Sequence, residues 1–308
     1  MYHYVRDLKN SAYPEIKGLE MSDFRKQISF IKEKLTPVRM EEVIDAVYHG
    51  SNLPENAALL TFDDGYKEHC DNVLPILQEE KMQGSFFISG KPLKENVLLE
   101  VNKLHFIRAC SKEKELFLEL CRQLDYYRGA EFEILPTKEL FQMYRIPGRY
   151  DTAEMAFVKK LLQTGLEANL RHRIVDNLFQ KYVGASERQL ADELYLSERE
   201  IRKLKDAGMY IGVHGYSHEW LGNLSKEDAG KDINKALEVL EPYIESQNWV
   251  MNYPYGSYNE DVIQLVKQKG AKLGLSVVPE IAVLERDNLY KLPRLDTNDL
   301  PPKGNFIC

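Results

Sequence analysis

The sequence has few cysteines and no long apolar run. Its 308 residues include four cysteines, Cys70, Cys110, Cys121 and Cys308, and no two of them form a CxxC pair, so we expect free thiols. No apolar stretch approaches the roughly 18 residues of a membrane span. The opening MYHYVRDLKN lacks the basic-then-apolar order of a signal peptide. These absences predict a cytoplasmic protein without a membrane span.

An excess of positive charge is absent as well. The net charge is −7 and the pI is about 5.6, which argues against general nucleic-acid binding through phosphate contacts. The hydrophobic fraction is 44%, so a chain of this length can bury a sizeable core. One large α/β domain or two smaller domains would fit these values.

Short apolar segments alternate with amphipathic segments in two parts of the chain. This rhythm predicts a parallel sheet with helices outside it. The predicted strands are AALLTF (57–62), GSFFIS (84–89), MYIGV (209–213), NWVMNYP (248–254), KLGLSVV (272–278) and YKLPRLD (290–296). Predicted helices include FRKQISFIKEKL and CDNVLPILQEEKM. Helix-end signals are Ser22 and Ser225 as N-caps, Gly50 as a C-terminal stop, and a capping box from Ser197 to Glu200.

Residues at about 93–200 interrupt this rhythm. They are rich in Leu, Lys and Glu and are predicted to be mainly helical. We therefore predict a single domain over 1–308 that carries a helical insertion, which would act as a lid, a substrate wall or a dimer surface.

Polar side chains follow several of the predicted strands. Asp63 and Asp64 end one strand, and either a turn or a metal site with its own base explains them. His214 and His218 follow another strand, and on a helical turn they would share a face. With a carboxylate they would form a His₂Asp metal site, although an ordinary pair of surface or capping histidines is the alternative. The C-terminal ends of strands in a parallel barrel converge, so these groups can meet.

The motifs TFDDGY, HGYSH and YPYG, in this order, resemble those of the polysaccharide deacetylase family, the NodB homology domain of carbohydrate esterase family 4. The opening YHYV and the late PRLDTND are similar to members of that family too. The resemblance covers residues 1–92 and 200–300. It implies a distorted (β/α) barrel of about seven strands, a divalent metal that is often zinc, and removal of an acyl group from an amide.

Residue by residue, the resemblance implies the metal ligands Asp64, His214 and His218 and the general base Asp63. The backbone amide of Tyr255, in a turn fixed by Pro254, would stabilise the oxyanion. An ordinary turn after a strand is the alternative at this position.

The chain departs from the family pattern at two roles. The family's arginine before the proline turn is missing from VMNYPYG, and Arg294, assisted by Asp296, is the candidate replacement; a surface ion pair is the alternative. No histidine follows His218 to act as the general acid. We expect His105 from the insertion to supply it. The other candidates are His3, which ends the first short strand, and His49, His69 and His172, which are expected on helix surfaces.

The resemblance implies a metal-dependent hydrolase that deacetylates an N-acetylated carbohydrate, and surface-glycan biosynthesis is the expected setting. A non-catalytic carbohydrate-binding or regulatory protein on the same barrel and an amidohydrolase of small non-sugar amides are the alternatives. Aromatic residues near the motifs would stack on a sugar or pack the barrel mouth: Tyr66, Tyr216, Trp220, Tyr255 and Tyr258. The sequence does not indicate an oligomeric state.

Overall fold

The structure is a computed structural model that describes residues 1–129, 131–146, 151–284 and 289–306. It divides into two compact units. The first contains Met1–Leu8, Gly18–Val97 and Glu187–Cys308, and the second contains Lys9–Lys17 and Leu98–Ser186. Cys70, Cys110 and Cys121 are free thiols, whereas Cys308 lies outside the described residues.

The first unit is built on a parallel sheet. The described strands are β1 (Val5–Arg6), β2 (Leu19–Glu20), β3 (Thr36–Pro37), β4 (Ala57–Ala58), β5 (Leu60–Phe62), β6 (Gly84–Ile88), β7 (Tyr210–Val213), β8 (Val250–Asn252) and β9 (Leu273–Leu275). Strands β5 to β9 form the five-stranded sheet in chain order, while β1 pairs with β2 and β3 with β4. The α/β class and the parallel sheet are confirmed, but a sheet of seven strands is not found among the described residues.

Two predicted strands differ from the observed ones. AALLTF divides at Leu59, because β4 pairs with β3 whereas β5 pairs with β6. YKLPRLD is not a strand: Leu292 forms a single bridge with Leu275. Pro293 follows it and has no N–H to continue a ladder. At the opposite edge a single bridge joins Tyr2 to Phe62.

The described helices are α1 (Met21–Lys34), α2 (Met40–His49), α3 (Leu74–Glu79), α4 (Gly90–Glu95), α5 (Glu100–Ala109), α6 (Glu113–Tyr127), α7 (Thr137–Tyr144), α8 (Ala153–Lys160), α9 (Ala168–Tyr182), α10 (Glu187–Leu194), α11 (Glu198–Asp206), α12 (Lys226–Leu240) and α13 (Glu260–Gln268). A π-helical turn over His69–Val73 precedes α3. Among the described residues, no helix is long and apolar enough to span a membrane.

Most of the predicted helix ends are confirmed. Gly50 ends α2 in the left-handed conformation, and the Ser197 capping box starts α11. Ser225 accepts a hydrogen bond from the Asp228 amide at the start of α12. Ser22 is not an N-cap, because α1 already begins at Met21 and Glu20 takes that position.

The sheet curls until its two edges approach each other. The Arg294 guanidinium donates to the Ser276 carbonyl directly after β9 and to the Thr61 hydroxyl within β5, over 2.8 Å and 3.0 Å. Those two strands are opposite edges of the sheet. The curl gathers the carboxyl ends of the strands, which is where the predicted site residues lie.

The second unit contains helices α5 to α9. Its core includes a cluster of Phe117, Phe141 and Phe157, whose ring centroids are 5.4–5.6 Å apart. Helix α10, which lies inside the predicted 93–200 insertion, belongs to the first unit, as does α11, which begins at the end of that insertion. The description of 1–308 as one domain with an insertion stays a prediction.

Candidate metal centre and active site

Asp64, His214 and His218 come together at the carboxyl ends of β5 and β7. The Nε2 atoms of the two histidines lie 3.3 Å and 3.2 Å from Asp64 Oδ1, and all three residues are buried. Two ligands about 2.1 Å from one zinc ion at a tetrahedral angle would be about 3.4 Å apart. Within the described part of the chain, this is the one group of three such side chains that could hold a metal ion.

The hydrogen bonds around these side chains fit a cation between them. The Nδ1 atom of His214 lies 2.7 Å from the Asn252 carbonyl, which can only accept, so the proton is assigned to Nδ1. In a neutral imidazole the lone pair is then on Nε2, which faces Asp64. Asp64 Oδ2 accepts from the Tyr66 hydroxyl over 2.6 Å, whereas Oδ1 is buried without a hydrogen-bond partner among the described residues. Two facing lone pairs in a buried site repel each other unless a cation lies between them.

The two histidines lie on a loop rather than on a helical turn. Residues 214–218 follow β7 and have no helical assignment. Gly215 has φ of 68° and His218 has φ of 57°, so the chain turns twice through the left-handed region. The two histidine side chains converge because of this loop conformation. The prediction that they share one face of a helical turn was wrong.

Asp64 and Gly65 form a tight turn as well as part of the site. Their φ angles are 73° and 68°, which a glycine adopts readily and an aspartate tolerates. A side chain at residue 65 would also bring its Cβ within 3.1 Å of Ile88. The turn and the site are therefore one feature, because the left-handed turn presents Asp64 to the two histidines.

Arg294 binds Asp63 through a complete set of hydrogen bonds. It donates to both carboxylate oxygens of Asp63 at 2.8 Å. Further bonds go to Thr61 Oγ1, Asn252 Oδ1 and the Ser276 carbonyl. All five N–H groups of the guanidinium are used, and the residue is buried. This ion pair is therefore internal rather than on the surface.

The surroundings keep both carboxylates ionised. Burial alone would raise the pKa of Asp63, but the Arg294 guanidinium outweighs it and holds the pKa well below its usual range. Burial opposes ionisation of Asp64 too, and the neighbouring imidazoles of His214 and His218 hold its pKa well below the usual value. Burial lowers the pKa of His218, so its imidazole is neutral near pH 7 and able to act as a ligand.

The remaining predicted residues occupy different surroundings. Asp296 accepts hydrogen bonds from the amide and side chain of Asn298, within its own turn. Pro254 is buried, and Tyr255 follows it with φ of 57°. The Tyr255 ring contacts His218 edge-on at 4.6 Å and stacks on Trp220 at 4.4 Å.

His3, one of the other candidates for the general acid, lies at the site. His3 Nε2 is 3.7 Å from Asp63 Oδ2, and 41% of the His3 side chain is exposed. It reaches this place because Tyr2 pairs with Phe62 and its carbonyl accepts from the Asp63 amide. The short YHYV segment resembles the start of family members, but the sequence does not indicate which strand this segment pairs with.

The other histidines are placed as follows. His105 lies on α5 in the second unit and is half-buried. His69 was predicted on a helix surface, which is wrong: it is fully buried, and its Nε2 donates to the His3 carbonyl. His49 is exposed at the end of α2, and half of the His172 side chain is exposed.

Comparison with known proteins agrees with the family resemblance of the sequence motifs. The family model for polysaccharide deacetylases matches residues 50–120 and 172–274, which is more than half of the chain. A poly-beta-1,6-N-acetyl-D-glucosamine N-deacetylase of Staphylococcus aureus is 29% identical over 115 residues, 34% of this chain and 39% of the relative. The chain thus matches less than half the length of that curated relative.

Two solved structures share the fold over nearly the whole chain. The Streptococcus pyogenes deacetylase PplD, in complex with acetate, aligns with a TM-score of 0.58 at 14% identity, covering 98% of this chain and 92% of that one. IcaB from Ammonifex degensii aligns with a TM-score of 0.55 at 14% identity, covering 96% and 89%. From the extent of the family match, the chain belongs to the polysaccharide deacetylase family.

Proposed function

We propose that this protein is a metal-dependent hydrolase that removes the acetyl group from an N-acetylated carbohydrate. One observation carries the proposal: a buried Asp64–His214–His218 group lies directly beside Asp63, an ionised carboxylate held by Arg294. The first group is suited to a metal ion and the second to proton transfer. Amide hydrolysis by metal-activated water requires both.

The three ligands leave positions open for water and substrate, as catalytic zinc sites do. Two imidazoles and one carboxylate suit zinc, and we propose that metal. When bound, it would polarise the acetyl carbonyl and lower the pKa of water.

The side chains around the site then have separate tasks. Asp63 accepts the proton of the attacking water, and Arg294 fixes the direction of its two oxygens. His3, 3.7 Å from Asp63, donates a proton to the departing amine nitrogen. The Tyr255 amide, in the turn after β8, donates to the oxyanion. We assign the general acid to His3 rather than to His105 because His3 lies beside the base.

The substrate proposal follows the relatives. The Staphylococcus aureus relative is a deacetylase of poly-beta-1,6-N-acetyl-D-glucosamine. We propose that the substrate here is an N-acetylated hexosamine in a surface polysaccharide or its precursor. The stacked pair Trp220 and Tyr255, next to His218, offers aromatic surface for a sugar ring.

The non-catalytic alternative is less well supported than the enzyme, because such a protein would lack the arginine and the general acid. Arg294 and His3 occupy places from which they can take both roles.

The test is acetate release from a panel of substrates after chelation and reconstitution with zinc. The panel contains β-1,6- and β-1,4-linked N-acetylglucosamine oligomers, monomeric N-acetyl sugars and small non-sugar amides. We expect release from an N-acetylglucosamine oligomer that stops on chelation and returns with zinc. Release from the small amides alone, or release that chelation leaves unchanged, would contradict the proposal.

A further inference from the structure

The two histidines of the Asp64–His214–His218 group are held in different ways. A metal-binding histidine normally donates its second ring N–H to an acceptor, which fixes the orientation of the ring. His214 has such an acceptor in the Asn252 carbonyl. His218 Nδ1 is buried and has no hydrogen-bond partner among the described residues. The position of His218 must therefore come from its ring packing and from the loop that carries it.

That loop is held by the carboxylate of one residue on α12. Asp232 Oδ2 accepts from the Tyr216 amide over 2.7 Å, and Oδ1 accepts from the Ser217 amide over 2.8 Å. Asp232 is buried, with 7% of its surface exposed. Both amides lie between the two histidines in sequence. Hydrogen bonds to an ionised acceptor are roughly twice as strong as neutral ones.

The loop is closely fitted to this carboxylate. Gly215 has φ of 68°, and a Cβ on it would lie 3.0 Å from Asp232 Oδ2. On the other side, the carbonyls of Gly215 and Tyr216 accept from the amides of Gly90 and Lys91 at the start of α4. The amides of Tyr216 and Ser217 thus depend on a side chain, whereas the carbonyls of Gly215 and Tyr216 are bound by backbone amides.

We propose that Asp232 is a positioning residue for the metal ligand His218. It fixes the loop so that His218 keeps its left-handed backbone, with φ of 57°, and keeps Nε2 aimed at Asp64. This inference rests on the proposed metal site but concerns a residue outside that site. Loss of such a supporting group typically weakens metal binding by about 10–100-fold.

The test measures metal affinity without any substrate. Wild type, Asp232→Ala, Asp232→Asn and His218→Ala are titrated with zinc against a chromophoric chelator, and the visible spectrum of the cobalt form is recorded. We expect Asp232→Ala to bind about 10–100-fold more weakly, with an altered cobalt spectrum. Asp232→Asn keeps one acceptor oxygen and should lie between Asp232→Ala and wild type. The matched control is Glu227→Gln, an exposed carboxylate on the same helix, which should bind as wild type does.

The outcomes separate this inference from the proposed function. If Asp232→Ala does not fold, the zinc affinity of Asp232→Asn relative to wild type is the deciding measurement. Binding within about twofold of wild type by the folded Asp232 variants, while His218→Ala binds poorly, would overturn the role of Asp232 alone. Failure of wild type to bind zinc, or unchanged binding by His218→Ala, would overturn the metal site and this inference with it.

Discussion

Asp63 and Asp64 are neighbours in the chain but face different partners. Asp63 is bound by Arg294 through two hydrogen bonds, whereas Asp64 accepts a hydrogen bond from Tyr66 and faces the two histidines. Successive side chains of an extended segment point in different directions. The left-handed turn at Asp64 adds to this divergence. Two identical side chains can therefore serve as base and as ligand.

The assignment of the general acid is tested by two histidine substitutions. We expect His3→Gln to lower kcat by roughly 10²–10⁴, because no group would protonate the departing amine, while zinc affinity stays unchanged. His105→Gln serves as the comparison and should keep most of the activity. If His105→Gln lost acetate release and His3→Gln kept it, His105 would be the general acid instead.

The role of Arg294 is tested by Arg294→Lys. Lysine keeps the charge but not the five-donor fork, so we expect kcat/KM to fall by roughly 100-fold. The pKa of Asp63 should rise because burial is then less fully offset, and Asp63 acts as a base only when it is ionised. The acid limb of the pH profile of kcat/KM should consequently move to higher pH.

The matched control is Arg202→Lys on α11, where 62% of the arginine side chain is exposed. It should leave the profile unchanged. An Arg294→Lys enzyme with the wild-type acid limb would show that Arg294 does not set the ionisation of Asp63.

At the scale of elements, the ends of helices were more predictable than the strands. The Ser197 capping box and the Gly50 stop depend on a few neighbouring residues, so the sequence contains the whole signal. A strand depends on its partners. AALLTF has one apolar pattern, yet its two halves join different sheets.

The capping box on α11 gives a stability prediction. Ser197→Ala removes the side-chain acceptor of the Glu200 amide, and we expect a loss of about 1 kcal/mol in the free energy of unfolding. Ser29→Ala is the matched control, because Ser29 is exposed inside α1 and alanine is the better helix former there. Urea unfolding should show a neutral or stabilising effect for Ser29→Ala. An equal loss in both variants would contradict the capping argument.

At the scale of the whole molecule, the sequence predicted the parallel sheet and the residues of the metal group, but not how the other parts reach it. Arg294 comes from a segment that was read as a strand and forms a single bridge. Its contacts with Thr61 and Ser276 exist because the sheet curls, and curl is a property of all strands together. His3 depends on pairing of the chain start with β5, which spacing along the sequence cannot reveal.

Stability of the whole molecule should depend on pH through His69. Burial lowers its pKa to about 4, from an ordinary value of 6.5. Between these values the unfolded chain binds a proton that the folded protein does not, so stability falls as the pH falls. The contribution is about 3 kcal/mol at most.

His69→Gln removes this titration and keeps a donor for the His3 carbonyl. We expect the unfolding free energy of this variant to change less than that of wild type between pH 6.5 and about 4, the interval set by the two pKa values. Parallel curves for the two proteins would show that His69 is not the group responsible.

In the proposed function, Asp64 holds a metal ion while Asp63 acts as the base. The most direct measurement determines metal content and acetate release in the same folded samples of wild type, Asp63→Asn and Asp64→Asn. We predict that Asp63→Asn keeps the metal and loses acetate release, because a side-chain amide at this position cannot accept a proton. Asp64→Asn should lose both. Wild-type acetate release by Asp63→Asn would show that Asp63 is not the base, and full metal content in Asp64→Asn would show that Asp64 is not a ligand.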